Sequence, residues 1–212
     1  MRARKRKNTP TRMENCSDIW VKDYKNHKGK WNILFGNQNP IHLEIGCGKG
    51  DFVLGMAKLY PDINFVAVEK FPDVIVLAME KIKSAELKNV LFISADAKEL
   101  CETFKKGEVE RIYLNFSDPW PRNKNSKRRL THENFLNIYK KLLRKGQFIY
   151  FKTDNKKLFE FSLNEFCRCN FLLQNISLDL HNSNMENNVM TEYEKNFSEK
   201  GFPIYRLEAM YK

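Results

Sequence analysis

From Pro40 onward the chain alternates short apolar runs with longer stretches whose apolar residues recur every three or four positions. Ile41–Ile45, Asn64–Val68, Val90–Ile93, Arg111–Phe116 and Gln147–Lys152 read as strands. Phe52, Val53, Met56 and Leu59 share one helical face and predict a helix over 51–59. Val74, Leu77, Ala78 and Ile82 mark a second helix, and a short one follows near Lys98–Phe104. Phe135, Ile138, Leu142 and Leu143 predict a helix opened by Thr131 or His132 and stopped by Gly146 as its C-cap. Leu158, Phe161, Leu163 and Phe166 predict another. Phe171–Leu178 and Ile204–Met210 read as strands with no clear helix between them, and the Asn-rich stretch 181–190 reads as a mobile loop. Strands alternating with helices imply an α/β fold, a mostly parallel sheet with helices on both faces and an antiparallel edge.

Composition narrows the class. With 212 residues, 42% hydrophobic and 30% charged, the chain suits one soluble domain with appendages. Residues 1–38 are polar and basic with scattered aromatics, and read as a tail and lead-in to a main domain at 39–212. No apolar run approaches the roughly 18–20 residues that span a bilayer. No apolar stretch of the secretory kind follows the basic N-terminus. A cytoplasmic protein without membrane attachment, monomeric or homodimeric, is expected. Five cysteines at irregular spacing argue against a disulfide framework. Cys167 and Cys169 are too close together, without a nearby histidine, for a zinc site, and read as one exposed and one buried thiol at a helix end.

The net charge of +11 is concentrated in two tracts. One holds Arg2, Arg4, Lys5, Arg6, Lys7 and Arg12, the other Arg122, Lys124, Lys127, Arg128 and Arg129; without these eleven, basic and acidic residues balance at 26 each. Localised positive charge on a neutral body points to a polyanion partner. Taken alone, the N-terminal tract reads equally well as a solvated segment.

In such sheets ligands bind beyond the carboxyl ends of the strands, where the strand order reverses. The five central strands end at Gly46-Cys47-Gly48, at Glu69, before Asp96, at Asp118-Pro119-Trp120-Pro121 and at Thr153-Asp154. One glycine turn and four carboxylates therefore converge on one rim. The spacing of Gly46, Gly48 and Gly50, with Asp at 51, does not fit the dinucleotide pattern G-x-G-x-x-G. The carboxylates of Glu44 and Asp51 would also repel a pyrophosphate. S-adenosylmethionine carries no phosphate, and its sulfonium, ammonium, ribose hydroxyls and adenine amine all suit acidic neighbours. Glu69 is placed to accept from the ribose hydroxyls, Asp96 from the adenine amine, and Glu44 to face the methionine ammonium directly or through water.

Glu44-Ile45-Gly46-Cys47-Gly48, Asp118-Pro119-Trp120-Pro121, Lys127-Arg128-Arg129-Leu130, Phe151-Lys152-Thr153-Asp154-Asn155 and Thr191-Glu192-Tyr193-Glu194 together resemble the bacterial tRNA (guanine-N7-)-methyltransferase family. The resemblance runs from Pro40 to the C-terminus, and the DPWP segment with its basic run is the most specific part. It implies a Rossmann-like class I S-adenosylmethionine-dependent methyltransferase fold with a seven-stranded sheet, acting on N7 of a guanine in the variable loop of tRNA. It implies cofactor contacts from Glu44, Gly46, Gly48, Glu69, Asp96 and Asp118, with Asp118 catalytic, and no metal. Arg122, Asp154, Thr191, Glu192, Tyr193 and Glu194 are implied to contact the substrate. Lys124, Asn125, Ser126, Lys127, Arg128 and Arg129 are implied to contact RNA. After DPWP the family typically has Lys-Lys-Arg-His; this chain has Arg122-Asn123-Lys124-Asn125, which keeps charge at two positions and lacks the histidine.

Guanine N7 carries a lone pair and no proton, so its methylation needs alignment and charge stabilisation more than a general base. Asp118 and Asp154 are the candidates for that work, and Trp120 offers a base a stacking face or packs between its prolines. The rival readings are a methyltransferase on another RNA base or macromolecule, an NAD-dependent oxidoreductase, and a non-catalytic RNA-binding module. The glycine spacing disfavours the oxidoreductase, and four acids at the rim give nothing to a pure binder of polyanions.

Overall fold

The computed structural model describes residues 8–183, 185 and 188–212. Arg2, Arg4, Lys5, Arg6 and Lys7 of the first basic tract, and residues 184, 186 and 187 of the stretch expected to be a mobile loop, lie outside the described residues. Strands β1 (Ile41–Ile45), β2 (Asn64–Glu69), β3 (Val90–Ser94), β4 (Val109–Asn115), β5 (Leu143–Thr153), β6 (Phe171–Ser177) and β7 (Tyr205–Tyr211) form one sheet. Its order is β3-β2-β1-β4-β5-β7-β6. The first five strands run parallel, and β7 is antiparallel to both β5 and β6. Every residue of β1 and β2 is buried, as near-continuous apolar parallel strands require. The order reverses between β1 and β4, which sets the ligand crevice at their carboxyl ends.

Eight helices, α1 (Thr9–Glu14), α2 (Trp31–Phe35), α3 (Asp51–Leu59), α4 (Pro72–Ser84), α5 (Leu100–Thr103), α6 (Glu133–Leu142), α7 (Lys156–Arg168) and α8 (Glu192–Ser198), surround the sheet among the described residues. Side chains alternate across the sheet, so neighbours in β4 and β5 serve opposite faces. Tyr113 meets Phe52 of α3 edge-on at 5.0 Å, whereas Phe151 stacks on Phe159 of α7 at 6.2 Å. Helices therefore cover both faces.

Residues 8–38 share this core. Arg12 grips Glu80 of α4 through two hydrogen bonds of 2.7 and 2.6 Å, so this cation of the first tract is spent on the body. Residues 19–21 lie along the outer edge of β3, where the Phe92 amide donates to the Ile19 carbonyl at 2.8 Å and the Val21 amide to the Phe92 carbonyl at 2.9 Å. This covers an edge that would otherwise offer free backbone groups. Trp31 is fully buried, stacks on Phe104 at 5.0 Å and donates from Nε1 to the Thr103 carbonyl.

Three helix faces differ from the sequence expectation. Leu59 is 48% exposed rather than on the buried face of α3. The buried face of α4 is Ile75, Val76, Ala78, Met79 and Ile82, one step round from Val74 and Leu77. The buried face of α7 is Leu158, Phe159, Ser162, Glu165 and Phe166. Two of these are polar because they bond to the start of α6: the Ser162 hydroxyl pairs with Thr131 at 2.7 Å, and Glu165 accepts from the Glu133 amide at 2.6 Å. Helix α6 is capped by His132 as expected, but it ends at Leu142 rather than at Gly146. Leu143 is drawn into pairing with Val109, and Gly146, with φ of 80°, lies inside β5 at a register shift. Cys167 is exposed and Cys169 buried, as the sequence suggested, and all five thiols are free. No helix among the described residues is long and apolar enough to cross a membrane.

The glycine turn owes its last member to packing. Gly50 has φ of +81°, and a Cβ there would lie 2.6 Å from the Ala78 Cβ and 2.9 Å from its Cα. Both the left-handed backbone and the contact between α3 and α4 require glycine. Gly50→Ala is expected to destabilise the protein by about 1–3 kcal/mol through overpacking, read as a lower denaturant midpoint in urea unfolding.

Candidate active site

The site is built where β1 and β4 part. After β1 the chain turns through Gly46 and Gly48, with φ of 81° and 55°. The amides of Gly46 and Cys47 donate to the Val68 carbonyl at 2.8 and 3.0 Å, pinning the turn to β2. The Gly48 amide donates to Glu69 Oε2 at 3.3 Å, and the Phe71 amide to Glu69 Oε1 at 3.0 Å. Unlike Gly50, neither Gly46 nor Gly48 would bring a Cβ within 4 Å of any atom. The space above them is open, as close approach of a ligand to the backbone demands.

Glu44 is the most constrained acid. Only 2% of it is exposed; its Oε1 accepts from Asn115 Nδ2 at 3.3 Å, and its buried Oε2 has no partner among the described residues. Burial raises its pKa to about 8, against the opposing pull of Asn115 and Lys152. Burial also raises the pKa of Glu69, partly offset by the amides of Phe71 and Gly48. Asp96 behaves differently. Burial pushes its pKa up, but Lys70 at 2.7 Å and the Lys98 amide outweigh this and leave it below the ordinary value. Asp96 is also the N-cap of a short 3-10 turn, reciprocated by Glu99.

Beyond β4 the chain enters a bent loop. Asp118 is exposed and lies between Phe116 and Trp120, two non-glycine residues with φ of 51° and 42°. Such backbone persists only where surroundings enforce it. Arg129 supplies part of that enforcement: its Nε donates to the Pro119 carbonyl at 2.9 Å and its Nη2 to the Trp120 carbonyl at 3.1 Å, with the guanidinium over Phe161 at 4.3 Å. At 9% exposure, Arg129 brackets the DPWP loop, unlike its exposed neighbours in the stretch implied to contact RNA. Arg122, Lys124, Lys127 and Arg128 are exposed on or beside the 3-10 turn Asn123–Arg128, and Asn125 and Ser126 are half-buried in it. Arg128 lies over the Trp120 ring at 3.6 Å, so Trp120 already has a stacking partner.

The C-terminal motif comes to the same rim. Thr191 caps α8 by accepting from the Glu194 amide at 2.8 Å. Glu192 pairs with Lys49 of the glycine turn at 2.8 Å. Tyr193 lies against Phe116 at 5.2 Å, and its hydroxyl donates to Asp154 Oδ2 at 3.5 Å. Burial raises the pKa of half-buried Asp154, opposed by local hydrogen bonds. Glu194, implied to contact the substrate, is wholly buried and bonded to Lys152 and Asn188. Sequence reasoning assigned no role to Asn115 or Lys152. Their signal was a polar residue closing an apolar run, Asn115 after Ile112-Tyr113-Leu114 and Lys152 after Phe148-Ile149-Tyr150-Phe151. Among the described residues no cluster of three or more His, Cys, Asp or Glu could hold a metal ion.

Residues 38–207 match the family described as "Putative methyltransferase". A tRNA (guanine-N(7)-)-methyltransferase of Listeria innocua is 54% identical over 200 residues, 94% of each chain. One from Bacillus subtilis is 53% identical over 193 residues, 91% of each chain. Among solved structures, an antibiotic-related methyltransferase superposes with a TM-score of 0.64 at 16% identity, over 86% of this chain and 93% of its own.

The two roles assigned to the basic run separate by stability. Arg129→Met leaves two loop carbonyls without their donor and is expected to cost about 1–3 kcal/mol, whereas Lys127→Met stays within about 0.5 kcal/mol of the parent. Chemical denaturation of the two variants checks this.

Proposed function

The chain belongs to the tRNA (guanine-N7-)-methyltransferase family, and on that premise we propose that it transfers a methyl group from S-adenosylmethionine to N7 of a guanine in the variable loop of tRNA. S-adenosylmethionine is the cofactor, and when bound it supplies a methyl group activated by the adjoining sulfonium. The residues that would hold it are Glu44, Gly46, Gly48, Glu69 and Asp96. The bare Oε2 of Glu44 suits an ammonium, and the open space over Gly46 and Gly48 suits a ligand pressed against backbone. Glu69 keeps acceptor capacity for ribose hydroxyls beyond its two amide donors, and Asp96 for an exocyclic amine beyond Lys70.

Guanine N7 has no proton to remove, so the protein's task is to align the base and to favour the positive charge that passes to it. Asp118 and Asp154 do both, accepting from the N1–H and the exocyclic amine of the base while presenting negative charge to the ring. Thr191, Glu192 and Tyr193 border the same base from α8. Arg122, Lys124, Lys127 and Arg128, with Asn125 and Ser126 between them, grip phosphates, which fixes the register of the RNA without reading its sequence. Glu194 and Arg129 act behind this surface by holding it in shape. The protein works in the cytoplasm as a monomer or a homodimer.

The observation that carries this reading is that exposed Asp118, near enough to Glu69 to raise its pKa, is followed by four exposed cations within eleven residues of chain. Incubation of bulk tRNA with methyl-labelled cofactor, then borohydride reduction and aniline cleavage, tests it. Cleavage at a variable-loop guanine is expected; label on any other base or on no RNA would sink the proposal. In the same assay Asp118→Ala is expected to lose at least about a hundredfold in kcat while tRNA affinity changes little. Near-normal turnover in that variant would leave Asp118 with no part in the reaction.

A further inference from the structure

We propose that Lys152 is a positioning residue for this reaction: its ammonium, at the end of β5, fixes the segment 188–194 over the site. The proposal rests on the methyltransferase reading above. Lys152 pairs in register with Asn115 of β4 and Arg206 of β7. Its side chain is 7% exposed, and its three ammonium protons meet three acceptors. These are Glu194 Oε2 at 2.6 Å, the Val189 carbonyl at 3.0 Å and Asn188 Oδ1 at 3.1 Å. Asn188 Nδ2 donates in turn to Glu194 Oε1 at 2.6 Å, closing a triangle of lysine, amide and carboxylate.

The reason this triangle matters is the composition of α8. Among its seven residues only Glu194 is buried. A helix with no buried apolar residue gains little from hydrophobic burial at its docking face. Its placement depends on polar ties, and among the described residues the Lys152–Glu194 pair is the tie most fully withdrawn from water. The others, Glu192 to Lys49 and Tyr193 to Asp154, are exposed and worth little alone. The segment is supported from below only in part. Asn188 and Val189 help roof a cavity of about 650 Å³ along the sheet face, lined by Arg111, Tyr113 and Tyr150. Its firm apolar seat is on α3, where Val189 fills the place a side chain at Gly55 would take: a Cβ on that glycine would lie 2.5 Å from Val189 Cγ1.

Charged groups meet Lys152 from three directions. Glu194 of α8 and Glu44 of β1 stabilise its charge, and Arg206 of β7 opposes it. His181 lies 3.3 Å from Glu194 on the far side. Burial works to neutralise the ammonium, and Glu194 above all works to keep it. Lys152 thereby joins the acid of the cofactor pocket to the helix that flanks Asp154.

Two variants and two readouts test this. Lys152→Met leaves Glu194 buried without its cation, which is expected to lower stability sharply. The double variant Lys152→Met with Glu194→Gln removes both charges, so it folds with most of that stability restored. If Lys152 positions the segment, the double variant still raises KM for tRNA by about tenfold while kcat changes less than about threefold. If Lys152 only neutralises Glu194, the double variant regains the parent KM, and the proposal falls. Amide hydrogen exchange over 188–198 provides a readout independent of activity: faster exchange confined to this segment in the double variant supports the proposal, and unchanged protection overturns it. A parent protein that fails to methylate guanine would instead defeat the functional reading, with the exchange experiment still deciding the role of Lys152.

Discussion

Glu44 is the next-to-last residue of a strand buried on both faces, and half of its carboxyl group has no bonding partner among the described residues. Withdrawing a carboxylate from water costs several kcal/mol when its partners are incomplete, and burial accordingly raises the pKa of Glu44 to about 8. The surrounding design follows from that tension. Asn115 donates to one oxygen, Lys152 contributes charge from a distance, and neither closes off the other oxygen. What remains is an unpartnered carboxyl oxygen beside a glycine turn with open space above it.

The other parts of the site are arranged around this fixed point by ties that run between strand ends. The glycine turn hangs on β2 through Val68 and Glu69. The Phe116 amide donates to the Lys152 carbonyl at 2.9 Å, so the DPWP loop leaves the sheet from a bonded position before Arg129 bends it. Lys152 then carries the connection to α8. A loop with two left-handed residues and a helix with no buried apolar residue are both weak elements alone. Each is held by a buried cation whose donors are matched to carbonyl or carboxylate acceptors.

Much of this was legible in the sequence, for a physical reason. Parallel strands covered on both faces are unbroken apolar runs, so their ends are sharp, and Glu44, Glu69, Asp96, Asp118 and Asp154 fall where the runs stop. What was not legible depends on partners distant in the chain. Ser162 and Glu165 hide in the buried face of α7 because α6 uses them, and a count of apolar residues shifts that face toward Phe161 and Leu163. Helix α8 carries only one apolar pair at helical spacing, Tyr193 and Phe197, and neither is buried. Arg129 and Glu194 sit in motifs full of charge, and a sequence does not distinguish a side chain bonded inward from one offered outward. The lead-in before Pro40 has too few apolar positions to show a period, yet Trp31 and residues 19–21 close one side of the core.

If Glu44 receives the positive end of the ligand, binding displaces the proton that burial favours on it. Calorimetric titration of S-adenosylmethionine at pH 7 in two buffers of different ionisation enthalpy measures the protons exchanged on binding. The parent protein is expected to release close to one proton more per ligand bound than Glu44→Gln, since any proton exchanged by the ligand's own amine is common to both. Equal proton exchange in the two proteins would contradict the account.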